Sequence, residues 1–212
     1  ILNLSPFSNL ISIIWLVWVM NMLNWSKGVD GQMPGIVVIS AIVIGILSMR
    51  FSPFSQETLI ATKLSFIIAG ASLGFLLFNF YPAKIFPGYG ATFVYLLLGT
   101  VSILSGAKLA TAILVMGVPM VDGLFTIMRR IAAGRSPFWH DNKHLHHLLL
   151  RLGFKQRHIA VFYWFISALL GVLSLLLSSR GKLFAIIMLG VIAGGALLFL
   201  HLVLKKNEKN NI

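Results

Sequence analysis

Histidine and arginine side chains concentrate in one polar segment, residues 129–158. It holds seven of the 17 lysines and arginines and five of the six histidines, with Asp141 as its single acid. Attraction to anionic lipid headgroups explains arginines at a membrane surface, but it does not require five histidines. Imidazole and guanidinium groups with almost no carboxylate favour a strongly anionic ligand such as phosphate or pyrophosphate.

A metal site is the alternative interpretation of His144, His146 and His147, because neutral imidazoles at this spacing also bind Zn2+. No cysteine or glutamate lies nearby, and the surrounding positive charge repels a cation. We therefore favour a phosphate ligand for these histidines and keep the metal as the second hypothesis.

Polar side chains also mark the end of the first apolar run. Asn21, Asn24, Lys27 and Asp30 follow one another at a spacing of three, so they share one face if the helix continues that far. A helix end capped by asparagine and turned by glycine is the ordinary explanation for any one of them. Together, amide oxygens and a carboxylate at a membrane surface suit Mg2+ or a sugar nucleotide.

Asp122 is an acid inside the fifth apolar run, seven residues before Arg129 and on the same helical face. A carboxylate within a membrane is costly, so it is expected to face the bundle interior with a cationic partner and to be functional. A purely structural pair with an arginine or lysine is the alternative.

The amino-acid composition indicates what kind of secondary structure positions these residues. Of 212 residues, 58% are apolar and only 10% are charged, against about 25% in soluble proteins. The absence of cysteine excludes a disulfide scaffold, and the apolar runs indicate that the net charge of +12 serves a membrane rather than nucleic acid. Runs near the 20 residues that a span needs predict an all-α, polytopic transmembrane bundle of about seven spans. These are 6–24, 35–51, 59–79, 92–106, 109–128, 159–179 and 183–204, with a cytoplasmic loop at 129–158 and a polar tail at 205–212.

The distribution of positive charge orients the bundle. If seven spans alternate, one side carries twelve lysines and arginines and the other carries five. The richer side is therefore cytoplasmic, which puts residue 1 outside and the tail inside. The least certain turn is 105–108. Because the chain begins at Ile1 without a methionine, we expect it to be the C-terminal portion of a longer protein.

A glycine-rich loop lies between the third and fourth predicted spans. Its Gly88-Tyr89-Gly90 resembles a fragment of a potassium filter, but the preceding threonine and valine are absent. A channel or transporter is therefore the least favoured function, and a plain turn explains the glycines.

Several motifs together resemble those of the bacterial polyprenyl-phosphate N-acetylhexosamine-1-phosphate transferases, over essentially the whole chain. The resemblance is nearest to the undecaprenyl-phosphate GlcNAc-1-phosphate transferases. The motifs are Asn21-Met22-Leu23-Asn24 with Gly28-Val29-Asp30-Gly31, Phe78–Phe86, Pro119–Asp122, Arg129-Arg130, Gly134–Phe138, Asp141, His144–His147 and Gly153-Phe154.

The resemblance implies transfer of GlcNAc-1-phosphate, or a related HexNAc-1-phosphate, from a UDP-sugar to undecaprenyl phosphate, with Mg2+ (or Mn2+) as cofactor and UMP as product. It implies a multi-pass protein of the bacterial inner membrane with a cytoplasmic active site, which initiates cell-envelope glycans such as lipopolysaccharide or teichoic acid linkage units. A homodimer is compatible with it.

Carried over position by position, the resemblance makes Asn24 a metal ligand and gives Asp30, Asp122 and His146 catalytic roles. It assigns substrate binding to Asn21, Arg129, Arg130, Asp141, His144 and His147. Asp141 is further expected to orient a histidine and fix its tautomer.

Two positions depart from the family pattern. Tyr89 and Lys27 stand where the resemblance predicts aspartates, and a phenol is a poor ligand for Mg2+. A catalytically impaired homologue that binds polyprenyl phosphate or nucleotide sugar is therefore the alternative function. In an active enzyme, Asp30 and aspartates from the absent upstream part would hold the metal while Lys27 neutralises phosphate.

Overall fold

The computed structural model describes residues 6–50, 55–104 and 109–210, and these are helical without any strand. The predicted turn at 105–108 lies outside the described residues, as do the side chains of the tail from 205 onward. The helices are α1 (Pro6–Trp25), α2 (Gln32–Ser48), α3 (Gln56–Asn79), α4 (Ala91–Leu104), α5 (Leu109–Val115), α6 (Gly117–Ala132), α7 (Leu145–Arg151), α8 (Gln156–Leu176) and α9 (Ser179–Asn210), with a 3-10 turn at Ser26–Gly28 after α1.

The all-helical fold is confirmed, but the count of seven spans is not. Four of the described helical stretches are long and apolar enough to cross a membrane: Phe7–Gly28, α3, α8 and Ser179–Leu204 of α9. The pair α5 and α6 makes a fifth only if the bent pair counts as one span. The apolar helices α2 and α4 have 17 and 14 residues, short of the roughly 20 that a straight span needs. Helix α9 continues to Asn210, so the predicted tail begins as helix.

The predicted span 109–128 is not one straight helix, because α5 and α6 meet at an angle of 87° around Met116. Pro119 lies in the first turn of α6. A proline has no N–H for its i−4 carbonyl, here that of Val115, and its ring crowds that carbonyl. The helix therefore ends at Val115 and restarts in a new direction.

The turns predicted to be cytoplasmic gather at one end of the bundle. The Gly31 N–H donates to the Asn79 side chain at 3.0 Å, which ties the start of α2 to the end of α3. The Asp30 N–H donates to the Gln156 side chain at 3.3 Å, which brings the start of α8 to the same place. We name this end the site end.

The opposite end is held together in the same way. The Ser48 hydroxyl donates to the Thr58 carbonyl at 3.1 Å, joining α2 to α3. The Arg50 guanidinium donates to the Leu175 carbonyl at 2.6 Å, joining the end of α2 to the end of α8. Helices α2, α3 and α8 therefore each run from one end of the bundle to the other, in keeping with the alternation that the charge analysis assumes.

Helix α2 forms the centre of the core and packs against α3 and α8. Its Ile36, Val37 and Ile44 are fully buried, whereas large apolar side chains such as Leu77 of α3 and Val191 of α9 are exposed. Exposed apolar faces of this extent are typical of helices that meet lipid. The described helices therefore pack around α2 and present apolar side chains on the outside of the bundle.

Candidate functional site

The end of α1 forms one wall of a cavity at the site end, which we name the amide cavity. It has a volume of about 310 Å3, and its lining includes Asn21, Asn24, Lys27 and Tyr89. The Asn21 amide nitrogen donates to the Val17 carbonyl at 2.8 Å, which holds that side chain against its own helix. The phenol of Tyr89 is 97% exposed and lies at the rim.

Asp30 does not join this cavity, although it continues the spacing of three. Helix α1 ends at Trp25, and the 3-10 turn is followed by extended backbone at Val29, so residue 30 leaves the helical face. Its carboxylate accepts a hydrogen bond from the Ala83 N–H at 3.1 Å and fixes the loop after α3. This contact gives the carboxylate a structural task. The catalytic role expected for Asp30 stays a prediction.

The histidines line a second cavity of about 330 Å3, which we name the histidine cavity. Helix α7 and the loop before it supply His144, His146, His147 and Asp141, and α6 supplies Arg130. The rings of His144 and His146 stack with centroids 5.7 Å apart, and those of His146 and His147 are 4.2 Å apart. The structure thus brings together the histidines that the sequence singled out.

Asp122 holds this histidine group in place. One of its oxygens pairs with His144 Nδ1 at 2.9 Å, and the other accepts the Leu145 N–H at 2.9 Å. An ionised carboxylate only accepts hydrogen bonds, so it keeps a proton on Nδ1 of His144 and fixes the orientation of the ring. The same carboxylate satisfies an orphan N–H at the start of α7.

The partner of Asp122 is therefore a histidine, and the alternative of a structural pair with an arginine or lysine is not what the structure shows. Asp122 and Arg129 share a helical face but do not contact each other, because Arg129 binds Asp141 in the loop that follows α6.

Arg129 and Arg130 both bind Asp141. Arg129 Nη2 donates to Asp141 at 2.8 Å, and Arg130 donates through Nε and Nη2 at 3.4 and 3.3 Å. Gly134 makes this return possible, because its φ of +69° turns the chain back just after α6. The prediction that Asp141 orients a histidine is wrong, since Asp122 has that position and Asp141 binds the arginines.

The charge of Asp141 is stabilised by its neighbours. Burial alone would raise its pKa, but the hydrogen bonds and charges of Arg130 and Arg129 lower the pKa of Asp141 to about 2. Two guanidinium groups against one carboxylate leave a net positive charge beside the histidine cavity.

His146 is the most enclosed histidine, with 1% of its surface exposed, and both of its ring nitrogens are buried without a hydrogen-bond partner. Burial, followed by the nearby His147 and His144, lowers the pKa of His146 well below its usual range. Burial, followed by the nearby His144, lowers the pKa of the half-buried His147, and the charge of Asp122 opposes this shift. At neutral pH His146 is therefore a neutral ring that offers one donor and one acceptor.

Gly28 is the residue that admits this ring. A Cβ at position 28 would lie 2.6 Å from His146 Cδ2 and closer still to Nε2. Side-chain carbons do not approach so closely, so only glycine lets the turn after α1 lie against the histidine.

The two cavities adjoin, because Asn24 and Lys27 line both of them. Asn24 and His146 line the same histidine cavity, so the amide-rich end of α1 lies beside the histidine segment. The sequence-based expectation that this place is one functional site stays a prediction.

The described residues do not form a Mg2+ site by themselves. No group of three or more histidines or acids among them is arranged to hold a metal ion. Asn24 offers an amide oxygen, but Lys27 lines the same space and Asp141 is engaged by two arginines. Mg2+ prefers one or two carboxylates together with substrate phosphates. Among the described residues that line the two cavities, the one carboxylate is that of Asp141, which the two arginines already hold.

The sequence analysis gave no site role to four residues beside the histidines. The Trp25 ring lies 5.8 Å from the ring of His144 and 5.7 Å from the guanidinium of Arg130. Thr126 places its hydroxyl 3.3 Å from His144 Nδ1, and its position one turn after Asp122 was the available signal. Trp139 and His140 line the cavity from the loop, next to Phe138 of the quoted motif, and no spacing rule identifies them.

The sequence profile of glycosyl transferase family 4 matches residues 1–106 of the chain. The chain belongs to this family. The resemblance first seen in the motifs is thereby confirmed at the level of the family.

Curated relatives agree with the family. The chain is 33% identical over 180 residues to a decaprenyl-phosphate N-acetylglucosaminephosphotransferase of Mycobacterium leprae, covering 74% of this chain and 45% of that protein. It is 30% identical over 201 residues to an undecaprenyl-phosphate alpha-N-acetylglucosaminyl 1-phosphate transferase of Thermotoga maritima, covering 93% and 60%. A protein of the same name from Escherichia coli is 29% identical over 185 residues, covering 82% and 49%. The chain thus spans about half the length of the curated relatives it matches.

Proposed function

We propose that the protein containing this chain transfers GlcNAc-1-phosphate, or a related HexNAc-1-phosphate, from a UDP-sugar to undecaprenyl phosphate. The names of the family 4 relatives support this reaction, and so do the phosphate-binding groups of the site. The observation that carries the proposal is the histidine cavity, which Asn24 and Lys27 line together with Arg130 and the histidines and which adjoins the amide cavity. A diphosphate there would meet an ammonium, a guanidinium and imidazole rings within one pocket.

In the proposed reaction an oxygen of the lipid phosphate attacks the sugar-bearing phosphorus of the UDP-sugar. A new P–O bond forms, the bond to UMP breaks, and UMP leaves with the electron pair. Negative charge is spread over the phosphoryl oxygens as this happens, so fixed cations and N–H donors beside them lower the barrier. Lys27 and Arg130 would supply the positive charge.

The histidines would orient the diphosphate. The N–H of neutral His146 donates to a phosphate oxygen, and its second nitrogen accepts a hydroxyl of the sugar or ribose. His144, fixed through Nδ1 by Asp122, presents Nε2 to the same space. Asp122 would thus act through His144 as a positioning residue, which refines the catalytic role expected for it.

The acceptor would approach from the membrane through a neighbouring apolar cavity. That cavity has a volume of about 230 Å3, and Met33, Phe75 and Val94 are among its lining residues. It shares Pro87 and Gly88 with the amide cavity, so a lipid whose first isoprene units lie there presents its phosphate toward Lys27. The site would then face the cytoplasmic leaflet of the inner membrane, the side on which the positive charge is concentrated.

Mg2+ remains a prediction, and no step above is assigned to it. Where the resemblance predicts aspartates, this chain has the ammonium of Lys27 and the phenol of Tyr89. A homologue that binds polyprenyl phosphate or nucleotide sugar with little turnover is therefore the second candidate function, and the presence of Lys27 and Tyr89 at the amide cavity favours it.

Release of UMP from UDP-GlcNAc by full-length protein with undecaprenyl phosphate tests the proposal, over a range of Mg2+ and Mn2+ concentrations. We expect turnover, and we expect His146→Ala to reduce it strongly while the amount of membrane-inserted protein is unchanged. Protein that binds both substrates yet releases no UMP under any of these conditions would refute the transferase and support the binding homologue.

Tyr89→Asp separates the two candidates from another direction. If the natural site is adapted to Tyr89, turnover falls in this variant. Turnover that appears only in the variant would mean that the natural site is degraded. Tyr89→Phe is the matched control, because it keeps the ring and removes only the hydroxyl.

A further inference from the structure

Tyr95 is a buried polar residue outside the groups assigned to the proposed reaction. It lies on α4, its side chain is fully buried, and no described residue forms a hydrogen bond with its hydroxyl oxygen. A buried tyrosine hydroxyl usually has a partner, because an unpaired polar group in apolar surroundings costs free energy. An unpaired hydroxyl of this kind therefore marks a place where a ligand can supply the missing hydrogen bond.

Tyr95 lines the apolar cavity of about 230 Å3 that neighbours the amide cavity. Among the described residues around this space, only Tyr95 and Ser72 have a polar side chain. Tyr95 follows Thr92 by three residues on the same face of α4, and Thr92 lines the amide cavity. Pro87 and Gly88 line both spaces. Tyr95 therefore lies where the apolar cavity borders the amide cavity.

The ammonium of Lys27 lies beside this tyrosine. Its Nζ is 5.6 Å from the centre of the Tyr95 ring, and Lys27 itself lines the amide cavity. A phosphate that pairs with this ammonium from the side of the apolar cavity would therefore lie close to the ring. An O–H that donates to an ionised oxygen forms one of the stronger hydrogen bonds in proteins. The positive charge of Lys27 and the unpaired hydroxyl of Tyr95 are together complementary to a phosphate at the end of an apolar chain.

We propose that Tyr95 binds the phosphate of the lipid acceptor, by donating its hydroxyl to a phosphate oxygen while Lys27 neutralises the charge. The first isoprene units then occupy the apolar cavity. This inference rests on the proposed function in one respect, which is that the acceptor is a polyprenyl phosphate. The nucleotide sugar has no apolar chain to fill the cavity, so the acceptor is the substrate that these surroundings fit.

The test compares the binding of undecaprenyl phosphate with that of undecaprenol, the uncharged alcohol, to full-length protein in detergent. Microscale thermophoresis without UDP-sugar supplies the dissociation constants. We expect Tyr95→Phe to weaken the binding of undecaprenyl phosphate by about 10- to 100-fold, the effect of losing a hydrogen bond to a charged group. We expect the binding of undecaprenol to change much less, because the alcohol carries no ionised oxygen.

Tyr163→Phe is the matched control. Tyr163 is also buried, its hydroxyl likewise has no partner among the described residues, and it lines neither the apolar, the amide nor the histidine cavity. We expect this variant to bind undecaprenyl phosphate like the wild type. Equal weakening in the two variants would overturn the proposal, as would wild-type affinity in Tyr95→Phe.

Two further outcomes separate phosphate binding from a packing role. Removing an unpaired hydroxyl breaks no hydrogen bond, so we expect Tyr95→Phe without lipid to melt at least as high as the wild type. A marked loss of melting temperature would show that the hydroxyl has a structural partner and would overturn the proposal. Equal weakening of undecaprenyl phosphate and undecaprenol would do the same. A failure of the transfer reaction is seen separately, as an absence of UMP release, because binding is measured without UDP-sugar.

Discussion

Gly28→Ala puts one methyl group against the ring of His146 and tests whether the position of that ring matters. Ordinary van der Waals contact begins near 3.4 Å, whereas the new Cβ would lie 2.6 Å from Cδ2 and closer to Nε2. The ring therefore has to retreat by about 1 Å to relieve the overlap. His146 is enclosed by His144 and His147, so its retreat shifts the whole histidine group.

We expect a displacement of this size to lower the reaction rate strongly and to change the stability of the fold little. Misplacing a positioning group by about 1 Å costs on the order of 100-fold in rate. Residue 28 itself is exposed and ends a 3-10 turn, so an alanine there costs little in backbone energy. We expect UMP release to fall by about 100-fold while the melting temperature in detergent stays close to that of the wild type.

Gly70→Ala is the matched control. Gly70 is exposed on α3, lines none of the cavities of the site, and a Cβ built there meets no atom within 4 Å. We expect wild-type turnover from this variant. If Gly28→Ala turns over as fast as Gly70→Ala while remaining folded, the position of the His146 ring does not matter and the proposed role of this histidine is wrong.

Two further predictions concern the groups that hold and charge the site. Asp122→Asn keeps an acceptor for the Leu145 N–H but places an amide beside His144 Nδ1, so we expect turnover to fall by about 10- to 100-fold with little loss of stability. Asp122→Ala instead leaves buried polar groups unpaired, and we expect it to lower the free energy of unfolding by about 1–3 kcal/mol. Equal turnover in Asp122→Asn and wild type would contradict this. Because the pKa of His146 is lowered in the folded protein, the unfolded chain binds a proton at a pH where the folded protein does not. The contribution of His146 to the free energy of unfolding is therefore greatest above the ordinary pKa of 6.5 and decreases as the pH falls below it. Thermal unfolding between pH 7 and 5 should therefore vary less steeply in His146→Asn than in the wild type, and parallel profiles would refute the assignment. Asp141, with a pKa of about 2 in the folded protein against 3.8 ordinarily, adds stability above pH 4 that is lost as the pH falls toward 2.

The class of fold and the meeting of distant motifs were predictable from the sequence. Long apolar runs can only be helices in lipid, and the asymmetry of positive charge assigns their ends to two sides. Once the ends alternate, Asn24 and His146 must lie at the same end of the bundle. These predictions follow from counting residues, and so they do not depend on packing detail.

The hydrogen-bond partners could not be predicted, because they depend on how the chain returns after each helix. Asp122 and Arg129 share a face of α6, yet the turn at Gly134 brings Asp141 to the arginines and His144 to Asp122. A helical wheel contains no information about that loop. Pro119 could have indicated the break after α5, but the continuous apolar run from 109 to 128 led us to predict one straight span there.

A structure of the full-length protein with UDP-GlcNAc bound tests the central claim most directly. The diphosphate is expected in the histidine cavity where it adjoins the amide cavity, with phosphate oxygens within hydrogen-bond distance of the Lys27 ammonium and the His146 ring. A nucleotide sugar seated elsewhere, with neither group touching a phosphate, would contradict the account.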